Sequence, residues 1–413
     1  MALLAGRISV LALGLWLNGQ LARTVGIEGL GRYLLALTVE GIALAVVNMG
    51  LNVFATREFA RSDAEVTRTL LGAVLVLKTA AAIFAIVLLN GLIAPLLFPG
   101  PRSLAIAWAS FGLLPQAMNG GLEAVLKGRQ RMEMSSVIDL TARLVAVVGG
   151  LIWLEHGGDE RHVLACYVAG QFLATLALSG VVTAWGVAPR WRGWHSRVGA
   201  IVRNAIPFAG VDVVAMLYRR TDLLLLAAWH GDAAIGLYGA AYRLWEVLGL
   251  MPSSFLDALF PELARRDAEG EGRARLRRLY RRVLPALLAF VLAVATVSFI
   301  IAPQIITLLY GQIPGREVVV GLFRLLLPAL PFTYLYLLNG HMLYATDNQR
   351  RVLAAMVTVT LGNALLNALL IPRWSYWSAA GIALASEIAL LGLLGTTARR
   401  HILKPTPLET RII

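Results

Sequence analysis

The sequence predicts an all-α integral membrane protein in which twelve transmembrane helices form two parallel-repeat six-helix lobes around a central cavity. The first observation behind this fold class is the composition, since 58% of the 413 residues are hydrophobic and only 15% are charged. Typical soluble domains are about 25% charged. The second observation is a series of twelve apolar segments, and the third is a weak internal repeat that relates the two halves of the chain.

The twelve apolar segments follow one another along the whole chain. Each is long enough to supply the ~20 residues that an α-helix needs to cross a bilayer. The first is expected to be an uncleaved span rather than a signal peptide, because no basic cluster precedes it. No connection between segments is long enough for a soluble domain. The predicted spans are residues 3–22, 33–56, 70–94, 104–126, 135–154, 162–186, 205–229, 237–260, 283–302, 317–342, 352–371 and 379–398.

The basic residues predict how these spans are oriented. With the N-terminus inside, 25 of the 37 lysines and arginines fall in cytoplasmic segments and six fall in outer loops. Cytoplasmic loops of membrane proteins carry such an excess of positive charge. The prediction is therefore a multi-pass protein with both termini cytoplasmic. This sorting accounts for the net charge of +13, so no nucleic acid is expected as a partner.

Two short similarities relate the halves of the chain. Residues Gly26–Ala36 align with Gly231–Ala241 at a constant offset of 205, and Leu113–Pro115 corresponds to Leu326–Pro328. Parallel repeats of this kind hold their substrate between the lobes, near the midplane of the bilayer. The predicted domains are an N-terminal lobe over residues 1–186, a cytoplasmic linker over 187–204, and a C-terminal lobe with a cytoplasmic tail over 205–413.

Three motifs carry a resemblance to a known family. They are the first loop Ala22–Tyr33, the end of the second helix at Asn48–Leu51 before Thr56–Arg61, and the turn Gly128–Gln130. Over nearly the full chain, the sequence resembles the polysaccharide biosynthesis (Wzx-type) oligosaccharide flippases of the multidrug/oligosaccharidyl-lipid/polysaccharide (MOP) exporter superfamily. The related peptidoglycan-precursor flippases carry two arginines in the first helix, whereas residues 8–21 here are uncharged, which disfavours that branch.

The resemblance implies a MATE/MOP-like fold and a flippase of the prokaryotic cell (inner) membrane. Such a flippase translocates a polyprenyl-pyrophosphate-linked oligosaccharide by alternating access, for surface polysaccharide assembly. The implied partners are the lipid-linked oligosaccharide, membrane lipids, and the glycosyltransferases and polymerase of the same pathway. No cofactor is implied, apart from coupling to a proton or sodium gradient. An enzyme is not expected, because the sequence has no phosphate-binding loop and no histidines at metal-ligand spacing.

Three other functions compete with this interpretation. A MATE-like drug or cation antiporter of the same superfamily is expected to have a cavity rich in carboxylates and poor in arginine. A membrane-embedded polysaccharide polymerase or glycosyltransferase is expected to have a large outer loop or a soluble nucleotide-sugar domain. A scaffold for glycan assembly needs no charged path through the membrane.

Six basic residues lie inside the predicted spans, where a charge persists only if it faces protein or a wet cavity. They are candidate ligands for a pyrophosphate, because a guanidinium binds phosphate oxygens through paired hydrogen bonds. The alternative is that each belongs to a structural ion pair, as Arg143 with Asp139. The six residues are Arg219, Arg220, Arg243, Arg143, Lys78 and Arg324.

Four carboxylates are candidates for binding the coupling ion or for pairing with these basic residues. Carboxylates inside membrane helices commonly serve proton and ion pathways. The pairing alternative joins Arg243 to Glu246, one helical turn away. No metal site is predicted. The four carboxylates are Glu40, Asp139, Asp222 and Glu246, and Glu387 is a fifth candidate for binding the coupling ion.

Overall fold

The computed structural model describes residues 2–191, 195–249, 272–346 and 348–400. Within these residues every regular element is helical, which confirms the predicted all-α class. A π-helical turn, Leu89–Ile93, joins α4 to α5. The helices are α1 (Ala2–Thr24), α2 (Gly26–Asn48), α3 (Leu51–Phe59), α4 (Ala64–Leu88), α5 (Ala94–Leu97), α6 (Pro101–Ser110), α7 (Leu113–Gly128), α8 (Met132–Glu155), α9 (Glu160–Ala184), α10 (His195–Trp229), α11 (232–249), α12 (Gly272–Ile300), α13 (Ala302–Tyr310), α14 (Arg316–Leu326), α15 (Ala329–Ala345) and α16 (Gln349–Ala398).

Seven helices of the described residues are long and apolar enough to cross a membrane, and the protein is a multi-pass membrane protein. Two predicted spans, 352–371 and 379–398, lie within the single element α16, which is interrupted at Ser375 by a non-helical φ of 51°. The count of twelve spans stays a prediction. The seven, with α4 and α5 counted as one helix and α14 and α15 as another, are Gly26–Asn48, Ala64–Leu97, Met132–Glu155, Glu160–Ala184, Tyr280–Ile300, Arg316–Tyr344 and Gln349–Ala398.

Large apolar side chains lie on the outside of the described helices. Phe84, Leu96, Leu176 and Leu308 are 68%, 70%, 71% and 77% exposed. Water-soluble monomers seldom expose contiguous apolar surface of this kind, and its presence usually marks a surface that is covered by lipid or by another protein. The exposed apolar side chains therefore belong to the surface that faces the hydrocarbon of the bilayer.

Three of the predicted spans are each broken into two helices. Span 33–56 breaks between α2 and α3, span 104–126 between α6 and α7, and span 317–342 between α14 and α15. Pro328 stands at the last of these breaks, where its missing N–H interrupts the helical ladder. Hydropathy locates such spans, but the breaks within them depend on local backbone conformation.

The contacts divide the chain into two compact units. The first unit comprises Met1–Gly236 with Leu309–Pro314, and the second comprises Leu237–Leu308 with Gly315–Ile413. In the first, α8 packs on α1 and α9, α7 packs on α4 and α9, and α2 packs on α6 and α10. In the second, α15 packs on α12 and α16. The contacts thus group α10 with the first unit, whereas the sequence assigned it to the C-terminal lobe. The predicted lobe boundaries stay a prediction.

The start of the predicted linker is anchored to α4. Gly186, with a φ of 73°, turns the chain after α9, and Val187 is fully buried. The backbone N–H of Arg190 donates to the Arg68 carbonyl at 2.9 Å. A Cβ at Gly72 would lie 2.2 Å from the Arg190 carbonyl oxygen, so this approach needs glycine on α4. Helix α10 then begins inside the predicted linker.

Candidate functional site

The break between α2 and α3 holds a left-handed backbone at two consecutive residues. Met49 has a φ of 40° and a ψ of 41°, and Gly50 has a φ of 72°. A left-handed conformation costs a residue with a side chain about 1–2 kcal/mol, so contacts around the break must stabilise it. Asn48 ends α2 and Asn52 lies in the first turn of α3, and both amides therefore flank the break.

Lys78 of α4 supplies the main contact at this break. Its side chain is fully buried, and its Nζ donates to Oδ1 of Asn48 at 2.7 Å, to Oδ1 of Asn52 and to the carbonyl oxygen of Ala117 at 2.9 Å. An ammonium has three donors and no acceptor, so the three oxygens satisfy it completely. Lys78 was predicted to contact substrate, and in the structure protein oxygens occupy all of its donors.

A polar chamber of about 220 Å³ lies beside this contact, within the first unit. We call it the first-unit chamber. Its walls come from α2, α3, α7, α8 and α9. Gly120 of α7 is one of its lining residues, and a Cβ there would come within 2.8 Å of Lys78 Nζ and 2.6 Å of Asn52 Oδ1. Five amide side chains contribute to the walls, and they are Asn48, Asn52, Asn119, Gln116 and Gln171.

The charged residues that line the first-unit chamber are paired within the protein. Nε of Arg143 donates to both carboxylate oxygens of Asp139, at 3.1 and 3.2 Å. Glu123 accepts from Nζ of Lys127 at 2.7 Å. The structure therefore brings together Arg143 and Asp139 in the ion pair that the sequence offered as the alternative to substrate contact, and it places that pair on a chamber wall.

Glu40 lies behind the wall and is only 3% exposed. Its Oε1 accepts from Nε2 of Gln116 at 2.5 Å, and its Oε2 accepts from the hydroxyl of Tyr167 at 3.2 Å. Both donors are neutral side chains. Because Gln116 lines the first-unit chamber, Glu40 is one hydrogen bond away from it.

The candidate residues of α10 occupy three different environments. Arg219 is exposed, Arg220 is half-buried, and Asp222 is 6% exposed. Oδ1 of Asp222 accepts from the backbone N–H of Leu223 at 2.7 Å. None of these residues lines the first-unit chamber.

The candidate residues of the second unit make local contacts. Arg243 donates to Oε2 of Glu246 at 2.8 Å, one turn away on α11. Arg324 on α14 donates from Nε to the Phe299 carbonyl at 3.1 Å, and its guanidinium lies 5.0 Å from the centre of the Phe299 ring. At that distance a cation and an aromatic face attract each other. The sequence could predict the Arg243–Glu246 pair from its spacing, but not the contact of Arg324 with α12.

A network of ion pairs in the first unit was not predicted. Nε of Arg32 on α2 donates to Glu160 at 2.6 Å, and the same guanidinium donates to Asp232 at 3.3 Å. Arg102 on α6 also pairs with Asp232 and donates to the His230 carbonyl at 2.8 Å. Both arginines are among the six basic residues that the predicted orientation places in outer loops. Their partners lie 128 to 200 residues away, and no local spacing signals such pairs.

Two glycines lie next to this network, where α2 meets α11. A Cβ at Gly31 would lie 2.0 Å from the Asp232 carbonyl oxygen, and one at Gly236 would lie 2.0 Å from the Ile27 carbonyl oxygen. In the predicted repeat, which has an offset of 205 residues, Ile27 is equivalent to Asp232 and Gly31 is equivalent to Gly236. Each glycine thus contacts the residue that is equivalent to the partner of the other glycine. Residues that are equivalent in the repeat therefore contact each other at backbone distance.

The second unit has a buried polar cluster of its own. Oε2 of Glu387 on α16 accepts from the hydroxyl of Thr333 at 2.6 Å. Nearby on the same helix, Asn363 donates to Ser386 at 2.9 Å and accepts from Asn367 at 3.0 Å. Of these residues, only Glu387 was a candidate from the sequence, as a carboxylate that could bind the coupling ion. An amide at each of two positions four residues apart would have been the available signal, since residues so spaced share one helix face.

Comparison with known proteins gives one family and several relatives. The family model described as polysaccharide biosynthesis protein matches residues 3–266. The probable low-salt glycan biosynthesis flippase Agl15 of Haloferax volcanii is 20% identical over 273 residues, which are 65% of this chain and 55% of that protein. The chain thus spans about half the length of this curated relative.

Solved structures share the fold at low sequence identity. The lipid II flippase MurJ, in an inward closed conformation, has a TM-score of 0.81 at 14% identity and covers 96% of this chain and 87% of its own. An inward-facing multidrug resistance transporter of the MATE family of the MOP superfamily has a TM-score of 0.73 at 15% identity, covering 96% and 95%. These proteins are flippases or transporters by name.

Proposed function

The chain belongs to the polysaccharide biosynthesis protein family, and from that premise we propose that it is a flippase of the MOP superfamily. Its cargo is a polyprenyl-pyrophosphate-linked oligosaccharide, which it carries across the cytoplasmic membrane by alternating access for surface polysaccharide assembly. The name of its archaeal relative, a glycan biosynthesis flippase, supports the same class of cargo.

The first-unit chamber is the observation that carries this proposal. A glycan headgroup is polar, and it cannot leave water for ~30 Å of hydrocarbon unless protein groups replace its hydration. Five amides and an Arg143–Asp139 pair face one cavity inside a unit that is built from membrane-type helices. Polar side chains inside membrane helices persist where they line a water-filled cavity. A polar cargo is the simplest explanation for a cavity of this kind.

The competing drug or cation antiporter fits the chamber less well. A site for cationic cargo needs carboxylates that are open to the cargo. In the first-unit chamber, Asp139 is paired with Arg143 and Glu123 with Lys127, so the cargo would have to displace a tethered cation. A flippase that holds sugar hydroxyls needs no such displacement.

The proposal includes the orientation and surroundings of the chain. Both termini lie in the cytoplasm of a prokaryotic cell, since the 25 to 6 distribution of basic residues follows the positive-inside rule. The partners are the glycosyltransferases that build the glycan and the polymerase that extends it. Arg219 and Arg220 are assigned to the pyrophosphate, because adjacent helical residues point 100° apart and can grip it from two sides.

Glycan export in cells tests the proposed function. Cells that lack the chain should lose surface polysaccharide, and restoring the chain should recover it. Replacing both Arg219 and Arg220 with alanine should lower surface polysaccharide by about tenfold or more, since hydrogen bonds to charged groups contribute about 1.5–3 kcal/mol each. The measurement is surface polysaccharide per cell, with the amount of inserted protein determined in parallel.

The matched control replaces a second adjacent pair of arginines, the exposed Arg350 and Arg351, with alanine. This control should retain export. Unchanged surface polysaccharide in cells that lack the chain contradicts the function, whereas unchanged export in the Arg219 and Arg220 double variant removes only that pair from the mechanism.

A further inference from the structure

The donors that the first-unit chamber offers are fixed by Lys78. Because the ammonium can only donate, it turns the amide oxygens of Asn48 and Asn52 toward itself. The Nδ2 group of each asparagine therefore points away from the ammonium. Neither Nδ2 group has a hydrogen-bond partner among the described residues. Both asparagines line the chamber, so they present N–H donors to whatever occupies it.

The opposite wall offers both an acceptor and further donors. Nε2 of Gln116 donates to Glu40 and to the Gly112 carbonyl, which leaves its Oε1 as an open acceptor. Oε1 of Gln171 accepts from Asn119 at 3.4 Å, which leaves its Nε2 as an open donor. Ser135 is 7% exposed and lines the same chamber, and among the described residues its hydroxyl has no partner.

The charges around the first-unit chamber balance. Asp139 pairs with Arg143, and Glu123 pairs with Lys127. Behind the wall lie one buried basic residue, Lys78, and one buried acidic residue, Glu40. A phosphate offers only acceptors when it is fully ionised, so it would leave the Gln116 oxygen unmatched and would be repelled by the two carboxylates. A sugar hydroxyl both donates and accepts, and it matches a neutral wall of mixed donors and acceptors.

The size of the chamber sets how much of a glycan it can hold. At about 220 Å³ it is smaller than the 300–1,000 Å³ of pockets for drug-sized ligands. One sugar ring fits that volume and a longer oligosaccharide does not.

We propose that the first-unit chamber is a saccharide subsite, which binds one neutral sugar ring of the translocated glycan through its open amide groups and Ser135. This inference rests on the proposed function for the identity of the cargo. The two parts of the cargo then bind at different places. Uncharged groups of the first unit bind the sugar, and arginines outside the chamber bind the pyrophosphate.

Binding of free sugars to the full-length protein tests the subsite. The protein is placed in lipid nanodiscs, since detergents with sugar headgroups would compete. The probes are D-glucose, D-galactose, D-mannose, N-acetyl-D-glucosamine and inorganic pyrophosphate. Saturation-transfer NMR detects the sugars and phosphorus line broadening detects the pyrophosphate. At least one sugar should bind.

Two variants locate the binding in the chamber. Ser135→Ala and Gln171→Leu should each weaken sugar binding about fivefold, because one neutral hydrogen bond contributes about 1 kcal/mol. Ser136→Ala is the matched control, since this neighbouring hydroxyl bonds its own helix at the Met132 carbonyl and does not line the chamber. It should bind sugar as the unaltered protein does. Ser135→Ala removes a single oxygen atom, so the test does not depend on a disruptive change.

Several results would overturn the subsite. They are the absence of a signal from every sugar, sugar binding that both variants leave unchanged, and pyrophosphate binding that Gln171→Leu weakens. These failures differ from failure of the proposed function. If export requires the chain and no sugar binds in the chamber, only the subsite is wrong; if cells without the chain keep their surface polysaccharide, the flippase itself is wrong.

Discussion

At the scale of single residues, one ammonium orients two amides of the first-unit chamber. Lys78 reaches from α4 to an asparagine at the end of α2 and another at the start of α3. It therefore ties the two sides of a backbone break together, and it also decides which amide atoms remain for a ligand. Sequence reasoning selected Lys78 because it is a charge within a span, but the partner oxygens come from three other helices and could not be predicted from spacing.

Replacing Lys78 with methionine should destabilise the protein. Methionine has a similar length and no donors, so three oxygens that now accept from the ammonium lose a partner inside the first unit. Buried polar groups without partners cost about 1–3 kcal/mol each. We expect the midpoint temperature of thermal unfolding to fall. Tryptophan fluorescence measures this midpoint.

Lys127→Met is the control for this replacement. Lys127 belongs to a partly exposed i,i+4 pair with Glu123, and such pairs contribute about 0.3–0.5 kcal/mol. A Lys78→Met protein that unfolds at the same temperature as the Lys127→Met protein would show that the three hydrogen bonds only offset the cost of burying the charge.

At the scale of helices, the chain follows hydropathy closely and departs from it where the backbone breaks. Spans were predictable because twenty apolar residues in a row have few other stable states in a bilayer. The break at Met49 and Gly50 was not, since the apolar run continues through both residues. The contact of Gly31 was not predictable either. A glycine in an apolar run does not indicate which residue it contacts, and only the structure shows that α11 packs on α2 at this position.

Gly31→Ala should destabilise the contact between α2 and α11. The added methyl group would lie 2.0 Å from a backbone carbonyl, and no side-chain rotation relieves that overlap. Overpacking of this kind typically costs about 1–3 kcal/mol, and occasionally more. The free energy of unfolding of the purified protein measures the effect, and Gly236→Ala should behave alike because its own added carbon would lie 2.0 Å from the Ile27 oxygen.

Gly180→Ala is the control for both glycine variants. Nothing lies within 4 Å of a Cβ at this position on α9. Alanine in a helix interior is about 0.5–1 kcal/mol better than glycine, so this variant should be as stable as the unaltered protein or slightly more so. If the Gly31→Ala protein has the same free energy of unfolding as the unaltered protein, the close contact between α2 and α11 does not contribute to stability.

At the scale of the whole molecule, the sequence predicted the class of the fold and the family correctly, because both depend on composition and on motifs spread along the chain. It scattered its candidate site residues over the two units. Lys78, Glu40, Asp139 and Arg143 gather at or behind one chamber, whereas Arg324 contacts an aromatic ring elsewhere. The amides of that chamber were overlooked, since neutral side chains give no charge signal in an apolar sequence.

Coupling of export to an ion gradient also belongs to this scale. Of the predicted carboxylates, Asp139 and Glu246 are ion-paired, while within the described part of the chain Glu40 accepts from the neutral side chains of Gln116 and Tyr167. We therefore expect Glu40→Gln to lower gradient-driven export by about tenfold or more, because an amide cannot exchange a proton or neutralise sodium.

The measurement is transport of lipid-linked glycan into vesicles with an imposed proton or sodium gradient. Glu28→Gln, an exposed carboxylate of the same helix, is the control and should leave the response intact. If the Glu40→Gln protein responds to both gradients as the unaltered protein does, coupling resides at another group.

The first unit is assembled from distant parts of the chain, and this affects the order of events during synthesis. A Cβ on Gly19 would lie 2.1 Å from the Leu309 carbonyl oxygen, so α1 rests against residues that are synthesised about 290 positions after it. Until the ribosome reaches that point, the face of α1 around Gly19 lacks its native neighbour. A nascent chain that is released earlier would enter the bilayer with that face of α1 uncovered, so the first unit closes late in synthesis.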